Sequence, residues 1–553
     1  MKNTRLLLII ILLIAFLIHL SYLNNGFIWL DHGDIETGRT ILSISKLSQA
    51  FFTRLGETKF YRPIVAILNS LDFYLFGINP WGYHLTNLLL FLLVYYSTYI
   101  FALNFFGLKQ RESLFVALVA GIHPLSILPV GVISYRQELL AAAFTYLAVS
   151  AYIKARITEK SIPAVATAAF WLLAIFSKET ALFWVPSFIF IREWTRDFKK
   201  IRQNLTSLVF LAVSSIGYLV LRAQAIPDYW KRHDSNLSLN QAVGTRLAVF
   251  LQRLWEIINP LRPSLSDSTA IRDTTTWQVW LTTSIIITCF IVVFKSGRKS
   301  LISRLILFTL FALIPSLSII PLPRFSSPHY GFIAVPAAGV LAVLLWRIVT
   351  ISPHRFARAA FILLVGVWLS TMAINTYVAG YRFKNDFTLF APEVARNGNF
   401  REGHFYLGDY YLRRGDLKRA KSHLESSLIR DDQVIAFVDE SAAKINLAGV
   451  YLSTGEIEKA ENLLQEVTKE KSGSNRLRAL YNLAVIAERK EDYQKIVNFL
   501  ADELNNFQQP EPILLYTKGL VKTGKETEAD KILRSKLLIT DNQRRLEIIQ
   551  KFR

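Results

Sequence analysis

The apolar run "LLLIIILLIAFLIHLSYL" at residues 6–23 decides the class of fold, because it contains no acidic residue, lysine or arginine. A helix of this length crosses the hydrocarbon core of a bilayer. Similar runs recur up to about residue 380, and they predict an all-α, polytopic membrane bundle with about eleven spans. The spans are predicted at residues 6–23, 83–106, 114–132, 137–153, 161–176, 180–191, 204–222, 278–294, 301–321, 331–349 and 358–378.

The composition agrees with a membrane protein. Of the 553 residues, 52% are hydrophobic and only 19% are charged, whereas soluble domains carry about 25% charged residues. The formal net charge of +21 comes mostly from the apolar part of the chain, so it indicates membrane orientation. No motif that reads DNA or RNA is present, and we predict no nucleic-acid partner. A single cysteine, Cys289, excludes an intramolecular disulfide and a cysteine-based metal site.

The connectors between the spans alternate in charge. Short linkers rich in lysine and arginine, such as "GLKQRES", "REWTRDFKKIRQ" and "KSGRKS", all fall on one side. The positive-inside rule places this side and the N-terminus in the cytoplasm. The first run offers no small-x-small cleavage site, so we predict an uncleaved anchor. The chain is therefore predicted to be an integral, multi-pass membrane protein whose C-terminal domain is extracytoplasmic.

Helical repeats replace the apolar runs after residue 380. The segment "YLGDYYLRRGDLKRAKSHL" (406–424) can be laid over "NLAGVYLSTGEIEKAENLL" (446–464), and two further copies follow. The equivalent residues Ala420, Ala460, Ile496 and Ala529 are 40, 36 and 33 residues apart, which brackets the tetratricopeptide (TPR) period of about 34. A TPR α-solenoid is thus predicted, with a concave surface that binds a protein or peptide partner. An inert structural cap is the alternative.

Acidic side chains crowd the exit of the first span. The stretch "GFIWLDHGDIE" (26–36) presents Asp31 and Asp34 on the predicted extracytoplasmic side, with a histidine and a glutamate beside them. An anchor does not need so many charges. We interpret them as a site at the bilayer edge, where one substrate is a lipid and the other arrives from water.

Further polar residues fall in connections on the same predicted side. Each has a structural alternative, such as a helix cap, an ion pair or a lipid headgroup contact. The informative feature is that they share one side of the membrane. Residues on one side can form a single site, in which Arg or Lys holds a lipid phosphate and a carboxylate acts as base. They are Arg62, His84 and Asn87 in "YRPIVAILNSLDFYLFGINPWGYHLTN", Arg136 and Glu138 in "SYRQELL", Lys178 and Glu179 in "SKE", and Arg324 and His329 in "PRFSSPHYG".

These blocks, in this order and followed by repeats, resemble the transmembrane and TPR-repeat O-mannosyltransferase family and its prokaryotic relatives, in the GT-C superfamily of glycosyltransferases. The resemblance implies a GT-C-like membrane domain at 1–380 and a TPR domain at 381–553. It implies an undecaprenyl- or dolichyl-phosphate-linked sugar as donor and transfer outside the cytoplasm. It also implies that an aspartate in the first external loop acts as general base.

The resemblance assigns roles to individual residues. Asp31 matches the second position of the family's "DD" pair, with Leu30 in the first, and Asp34 is the second choice. The family has a histidine where Phe91 stands. The donor-binding positions that match are Arg62, His84, Asn87, His123, Arg136, Glu138, Lys178 and Glu179.

Two departures bear on the donor and on a metal. Gly331 and Phe332 occupy places where the family has an arginine and a tyrosine, so Arg324 or His329 is expected to substitute in donor binding. The missing first aspartate weakens a two-carboxylate metal site. No metal is assumed, and a divalent cation is left open as a cofactor.

We therefore predict an inverting glycosyltransferase of GT-C type that moves a sugar from a polyprenyl phosphate to a hydroxyl acceptor, with protein Ser/Thr as one candidate. A non-catalytic, membrane-anchored TPR scaffold of an envelope complex is the alternative. A transporter or lipid flippase is the third hypothesis, and it requires ionisable residues deep within the spans.

Overall fold

The computed structural model describes residues 2–56, 58–196, 205–227, 237–318, 324–351, 355–470, 472–507 and 509–553, and most of them are helical. The chain divides into two compact units. The first comprises residues 1–399 and 431–437, and the second comprises 400–430 and 438–553. The predicted all-α class is confirmed, while the functional division at residue 380 stays a prediction.

The first unit contains the apolar helices. They are α1 (Lys2–Ile18), α2 (Pro63–Phe76), α3 (Pro80–Phe101), α4 (Gln110–Ile122), α5 (Ile127–Gly131), α6 (Arg136–Thr158), α7 (Ser161–Ser177), α8 (Ala181–Trp194), α9 (Leu205–Ala225), α10 (Leu239–Ile258), α11 (Trp277–Ser296), α12 (Leu301–Leu313), α13 (Pro336–Ile351), α14 (Arg355–Gly380) and α15 (Asp386–Arg396).

Shorter elements join these helices. A small antiparallel pair is formed by β1 (Thr269–Ala270) and β2 (Val434–Ile435), with Thr269 opposite Ile435. Tight 3₁₀-helical segments lie at Leu20–Asn24, Ile44–Phe51, Pro124–Ser126, Ile133–Tyr135, Ile314–Leu317, Pro328–Ala334 and Tyr381–Lys384, and π-helical turns lie at His32–Glu36 and Ala102–Phe106.

Several helices are long and apolar enough to cross a membrane. Within the described residues there are six, or eight if each of two bent pairs is one span. Three further apolar helices are shorter, so length alone does not make them spans. The protein is a multi-pass membrane protein, while the count of eleven spans stays a prediction. The six are Leu6–Asn24, Pro80–Phe106, Ile133–Thr158, Ser207–Ala225, Trp277–Ser296 and Arg355–Lys384.

Proline lies at the break of each bent pair. Gln110–Ile122 and Pro124–Gly131 meet at 53°, and Pro328–Ala334 and Pro336–Ile351 meet at 48°. Proline has no N–H and its ring blocks the preceding helical turn, so the helix direction changes at these points. Because of these breaks, the chain forms short helical segments at 124–135 and 328–334 instead of one continuous helix.

The second unit consists of stacked helix pairs. The repeat residues Ala420, Ala460, Ile496 and Ala529 are fully buried, as the close approach of paired helices requires. The predicted TPR solenoid is thereby confirmed. Its helices are α16 (Arg401–Leu412), α17 (Leu417–Leu428), α18 (Glu440–Ser453), α19 (Ile457–Thr468), α20 (Ser474–Arg489), α21 (Tyr493–Leu500), α22 (Pro510–Lys522), α23 (Glu526–Lys536) and α24 (Asn542–Phe552).

Candidate active site

Asp31 is fully buried directly before the π-helical turn that follows the first span. Its Oδ1 accepts a hydrogen bond from the Ser134 backbone N–H at 2.8 Å, and its Oδ2 accepts one from the Ile133 N–H at 3.3 Å. These amides lie just before α6. Burial raises the pKa of the Asp31 carboxyl to about 7, and the hydrogen bonds only partly oppose this shift. A carboxylate that titrates near neutral pH is suited to general-base chemistry.

A distant carboxylate holds the loop that carries Asp31. Asp386, the first residue of α15, accepts a hydrogen bond from the Trp29 backbone N–H at 2.8 Å. Its other oxygen lies 2.7 Å from His32 Nε2, and His32 Nδ1 lies 2.5 Å from Glu36 Oε2. Trp29 has a φ of 55°, a left-handed conformation that a tryptophan adopts only when its surroundings fix it. The loop is therefore clamped rather than free.

Asp34 is already engaged in an ion pair. Its Oδ1 accepts hydrogen bonds from Arg39 Nε at 3.1 Å and from Arg39 Nη2. The Thr40 N–H and hydroxyl both donate to the Asp34 carbonyl and so close the turn. Asp34 thus supports the local loop, and its role as the second choice of base stays a prediction.

Lys178 and Glu138 form a buried ion pair. The Lys178 Nζ lies 2.5 Å from Glu138 Oε1, and both side chains are almost fully buried. His329 Nε2 lies 3.7 Å from the same oxygen, and His329 Nδ1 is 2.6 Å from Ser327 Oγ. The Lys178 Nζ also stands 5.5 Å from the centre of the Tyr330 ring. Three predicted site residues from three different connections therefore meet here.

Arg62 and Glu179 form a second ion pair beside the first. The Arg62 Nη2 donates to Glu179 Oε1 at 2.9 Å, and its Nε donates to Oε2 at 3.2 Å, a two-point geometry. Burial raises the pKa of Glu179, but the charge and hydrogen bonds of Arg62 outweigh burial and lower the pKa to about 2. The Arg62 guanidinium also lies 3.9 Å from the centre of the Phe60 ring.

Aromatic rings connect the Asp31 loop with these ion pairs. The Tyr135 ring contacts Trp29 at 5.5 Å and His329 at 4.4 Å, measured between ring centres. The guanidinium of Arg324 lies 5.2 Å from the Trp29 ring and 5.1 Å from the Phe437 ring. The base candidate and the cations are thus neighbours across one layer of side chains.

Arg253 on α10 is a cation that sequence reasoning missed. It is 1% exposed, its Nη1 lies 2.5 Å from Glu256 Oε2, and its Nη2 donates to Ser326 Oγ at 2.9 Å. The charges of Lys178, Arg324, Arg253 and Arg62 all act on His329. We call these four cations, with His329, the cationic cluster. The signal for Arg253 was an arginine and a glutamate one turn apart inside an apolar segment.

Four other predicted donor-binding residues lie in separate structural contacts. Arg136 donates to Asn87 Oδ1 at 3.1 Å and pairs with Asp72 at 2.7 Å, and Asn87 in turn donates to the backbone of the α5–α6 connection. His84 Nε2 lies 3.3 Å from the Gly26 carbonyl, and His123 Nε2 lies 2.9 Å from that of residue 257. These side chains brace the segments around the site, and a role in donor binding stays a prediction for them.

The acidic and histidine side chains of the described residues do not form a metal site. In the described part of the chain, no group of three or more histidine, cysteine or carboxylate side chains converges as metal ligands do. Asp31 is held by backbone amides, and Asp34 is taken up by Arg39. Among the described residues, these donors thus do not fit the divalent cation that the sequence left open.

Parts of the chain are similar to known proteins. The Tetratricopeptide repeat family profile matches residues 411–484. "Protein O-mannosyl-transferase TMTC2" of Mus musculus and of Homo sapiens are each 28% identical over 145 residues, which is 25% of this chain and 17% of each relative. The Xenopus laevis protein of that name is 27% identical over 149 residues, 26% of this chain and 18% of its own length. The match therefore covers less than a fifth of these curated relatives.

A solved structure is also similar. ArnT from Cupriavidus metallidurans bound to undecaprenyl phosphate shows a TM-score of 0.39 and 13% sequence identity over 74% of this chain and 80% of that chain. The resemblance read from the sequence blocks is confirmed in this sense: the chain is similar in part to proteins named O-mannosyl-transferase and contains tetratricopeptide repeats.

Proposed function

We propose that this protein is an inverting membrane glycosyltransferase that moves a sugar from a polyprenyl phosphate to a hydroxyl acceptor. The observation that carries the proposal is the placement of one buried carboxylate, Asp31, with a pKa of about 7, beside the cationic cluster. A base next to a group of cations matches the two needs of this reaction: deprotonation of the acceptor and stabilisation of a leaving phosphate.

In the proposed reaction, Asp31 accepts the proton of the acceptor hydroxyl while the hydroxyl oxygen forms a bond to the anomeric carbon of the sugar. The bond between that carbon and the phosphate oxygen breaks, and the polyprenyl phosphate leaves with the bonding electrons. This single displacement inverts the anomeric configuration. The proton then leaves Asp31 to solvent, which is feasible because its pKa is about 7.

The leaving phosphate would be held by cations that are neutralised by carboxylates in the resting structure. Lys178 is paired with Glu138 and Arg62 with Glu179, so a phosphate oxygen has to compete with these acids. His329, 3.7 Å from Glu138, lies where a proton can be exchanged when the pair opens. Since Asp31 is fully buried, a substrate can reach it only when side chains that cover it move aside.

Several parts of the proposal follow from the relatives and the connectors. The extracytoplasmic location of the site rests on the positive-inside rule. A protein acceptor and mannose as the sugar rest on the name of the similar transferases. Presentation of that acceptor by the repeats, and undecaprenyl or dolichyl phosphate as the carrier, rest on the family resemblance of the sequence blocks. The alternative of a non-catalytic scaffold rests on the repeats matched at 411–484.

The test is transfer by the purified full-length protein. It is incubated with a panel of polyprenyl-phosphate sugars and Ser/Thr peptides, and release of the lipid phosphate is measured. We expect release with one donor, and a loss of about 100-fold or more in Asp31→Asn, since general bases contribute about 10²–10⁴-fold. The matched control is Asp34→Asn, in the same loop. Equal rates for wild type and Asp31→Asn would refute the proposed base, and absence of release with every donor would favour the scaffold.

A further inference from the structure

A second charged site lies at the other end of α8 from the candidate active site. Lys178 and Glu179 lie within three residues of the start of α8, whereas Thr195 and Arg196 directly follow its end. The helix has 14 residues, so its ends are roughly 20 Å apart. The connection from α11 to α12 brings Lys299 to the same end. Two linkers that the sequence places on the cytoplasmic side, "REWTRDFKKIRQ" and "KSGRKS", thus contribute to one place.

A cavity of about 250 Å³ lies there, lined by Thr195, Arg196, Lys299 and Arg304. Three of these four side chains are cations, and the fourth offers a hydroxyl. Thr195 is 1% exposed, so the cavity has a buried floor as well as an exposed rim. Its volume is large enough for a phosphate group and part of what is attached to it.

The cations on one wall are fixed by a helix end. Arg304 Nη1 donates to the carbonyls of Phe105 and Phe106 at 3.1 and 2.7 Å, and Arg192 Nη1 donates to that of Phe105 at 3.0 Å. These carbonyls end the π-helical turn after α3, where the partial charge of a helix is negative. A Cβ on Gly107, which has a φ of +69°, would lie 3.4 Å from Arg304 Nη1. The arginine side chains on this wall are therefore held in fixed positions by hydrogen bonds and packing.

The remaining donors lack a partner among the residues that the structure describes. Arg304 Nε is buried and has no acceptor among the described residues. The side chains of Arg196 and Lys299 also form no ion pair within the described ranges. The nearby carboxylate, Glu193, is buried and pairs with Arg156 at 2.8 Å. An uncompensated group of cations around a cavity is stabilised by an anion with several acceptor oxygens.

We propose that this cavity binds a phosphate group, supplied either by the headgroup of an anionic lipid or by free phosphate. The guanidinium of Arg196, the ammonium of Lys299 and the Nε of Arg304 are the donors. Binding is independent of sugar transfer, because the cavity lies at the far end of α8 from Asp31 and the cationic cluster.

The experiment uses full-length protein and the double variant Arg196→Gln/Lys299→Gln. Both residues are exposed, so the variant is expected to fold, which size-exclusion chromatography checks. The control is Arg298→Gln, an exposed cation of the same connector that does not line the cavity. In one arm, native mass spectrometry counts phosphatidylglycerol and oleate molecules retained by the protein from mixed micelles. In the other, inorganic phosphate is titrated while the melting temperature is recorded.

We expect the double variant to bind its phosphate source at least about tenfold more weakly than wild type and the Arg298→Gln control. Loss confined to phosphatidylglycerol identifies a lipid headgroup, whereas loss of a phosphate-dependent rise in melting temperature identifies free phosphate. Oleate is expected to bind all three proteins alike. Equal binding of phosphatidylglycerol and of phosphate by wild type and double variant would overturn the site, as would a loss of oleate equal to that of the lipid phosphate.

Discussion

Burial raises the pKa of Asp31, so the rate of transfer is expected to depend on pH. A base works only when ionised, and the pKa of Asp31 is raised to about 7 by burial. We therefore expect kcat/KM of the wild-type protein to rise with pH, about tenfold per unit below the pKa, and to level off above about pH 7. Initial transfer rates between about pH 5 and 9 test this, with the residual rate of Asp31→Asn as control. The same profile in Asp31→Asn would assign the titration to another group.

Lys178 and Glu138 can be separated into structural and chemical roles. Lys178→Met alone leaves Glu138 buried without its partner, and we expect a loss of about 3 kcal/mol in the free energy of unfolding, together with a strong loss of transfer. In Lys178→Met/Glu138→Gln the uncompensated charge is gone. We expect the melting temperature to recover while the transfer rate does not.

The two observables of this pair of variants are thermal denaturation in detergent and release of lipid phosphate. Recovery of both in the double variant would show that Lys178 serves only to neutralise Glu138. Recovery of neither would show that the double replacement disturbs packing around His329 instead.

Among the helices, α15 holds the loop after the first span in place through its first residue, Asp386. Asp386→Ala removes the acceptor of the Trp29 N–H and the partner of His32. We expect kcat to fall about tenfold or more, because small displacements of a catalytic group are costly, while affinity for the donor changes little. Steady-state kinetics and donor binding measure the two effects, with Arg396→Gln at the last residue of α15 as control. A fall in donor affinity with unchanged kcat would contradict this role.

Helices α4 and α13 approach each other closely at Gly339. A Cβ on Gly339 would lie 2.8 Å from the Val116 Cα, and backbone cannot move aside as a side chain can. Gly339→Ala is expected to lower the free energy of unfolding by about 1–3 kcal/mol. Gly366→Ala in α14 is the control, because nothing lies within 4 Å of its Cβ position. Equal melting temperatures for the two variants would show that the helices separate freely.

The sequence predicted the elements better than their contacts. Hydrophobic runs, proline breaks and the repeat period are local signals, and they produced the helices and the solenoid. The polar loops were predicted only to share one side of the membrane. The contacts among Glu138, Lys178 and His329, and the ion pair of Arg62 with Glu179, are visible only in the structure. Asp386, likewise, is more than 350 residues away from the loop that it holds, and no local pattern reports such a pairing.

Arg136 shows another limit of sequence reasoning. Its motif position suggested donor binding, but its ion pair with Asp72 uses the charge internally. An aspartate inside the apolar helix α2 was itself a visible signal, since a carboxylate in such a run requires a partner. The role that the resemblance implies for Arg136, and the assignment of the other site residues, remain predictions until variants are measured.

For the whole molecule, the predicted orientation in the membrane decides whether the candidate site faces outward. In a Cys289→Ser background, single cysteines replace the exposed residues Thr37, Lys160 and Ser472. We expect a membrane-impermeant maleimide applied to intact cells to label positions 37 and 472 but to label 160 only after permeabilisation. Labelling of 37 and 160 from the same side would place the acidic loop and the basic connectors in one compartment and would remove the basis for extracytoplasmic transfer.

The strand β2 affects how this chain can be dissected. Residues 431–437 lie between two repeat helices in sequence but belong to the first compact unit, where β2 completes β1 and Phe437 packs on Arg324. A truncation before residue 400, intended to remove only the repeats, would also delete a ring that helps to position a cation of the candidate site. Chimeras and deletion variants should therefore retain residues 431–437, joined to the first unit by a short linker. Without these residues, a loss of activity on truncation would not show whether the repeats recruit the acceptor.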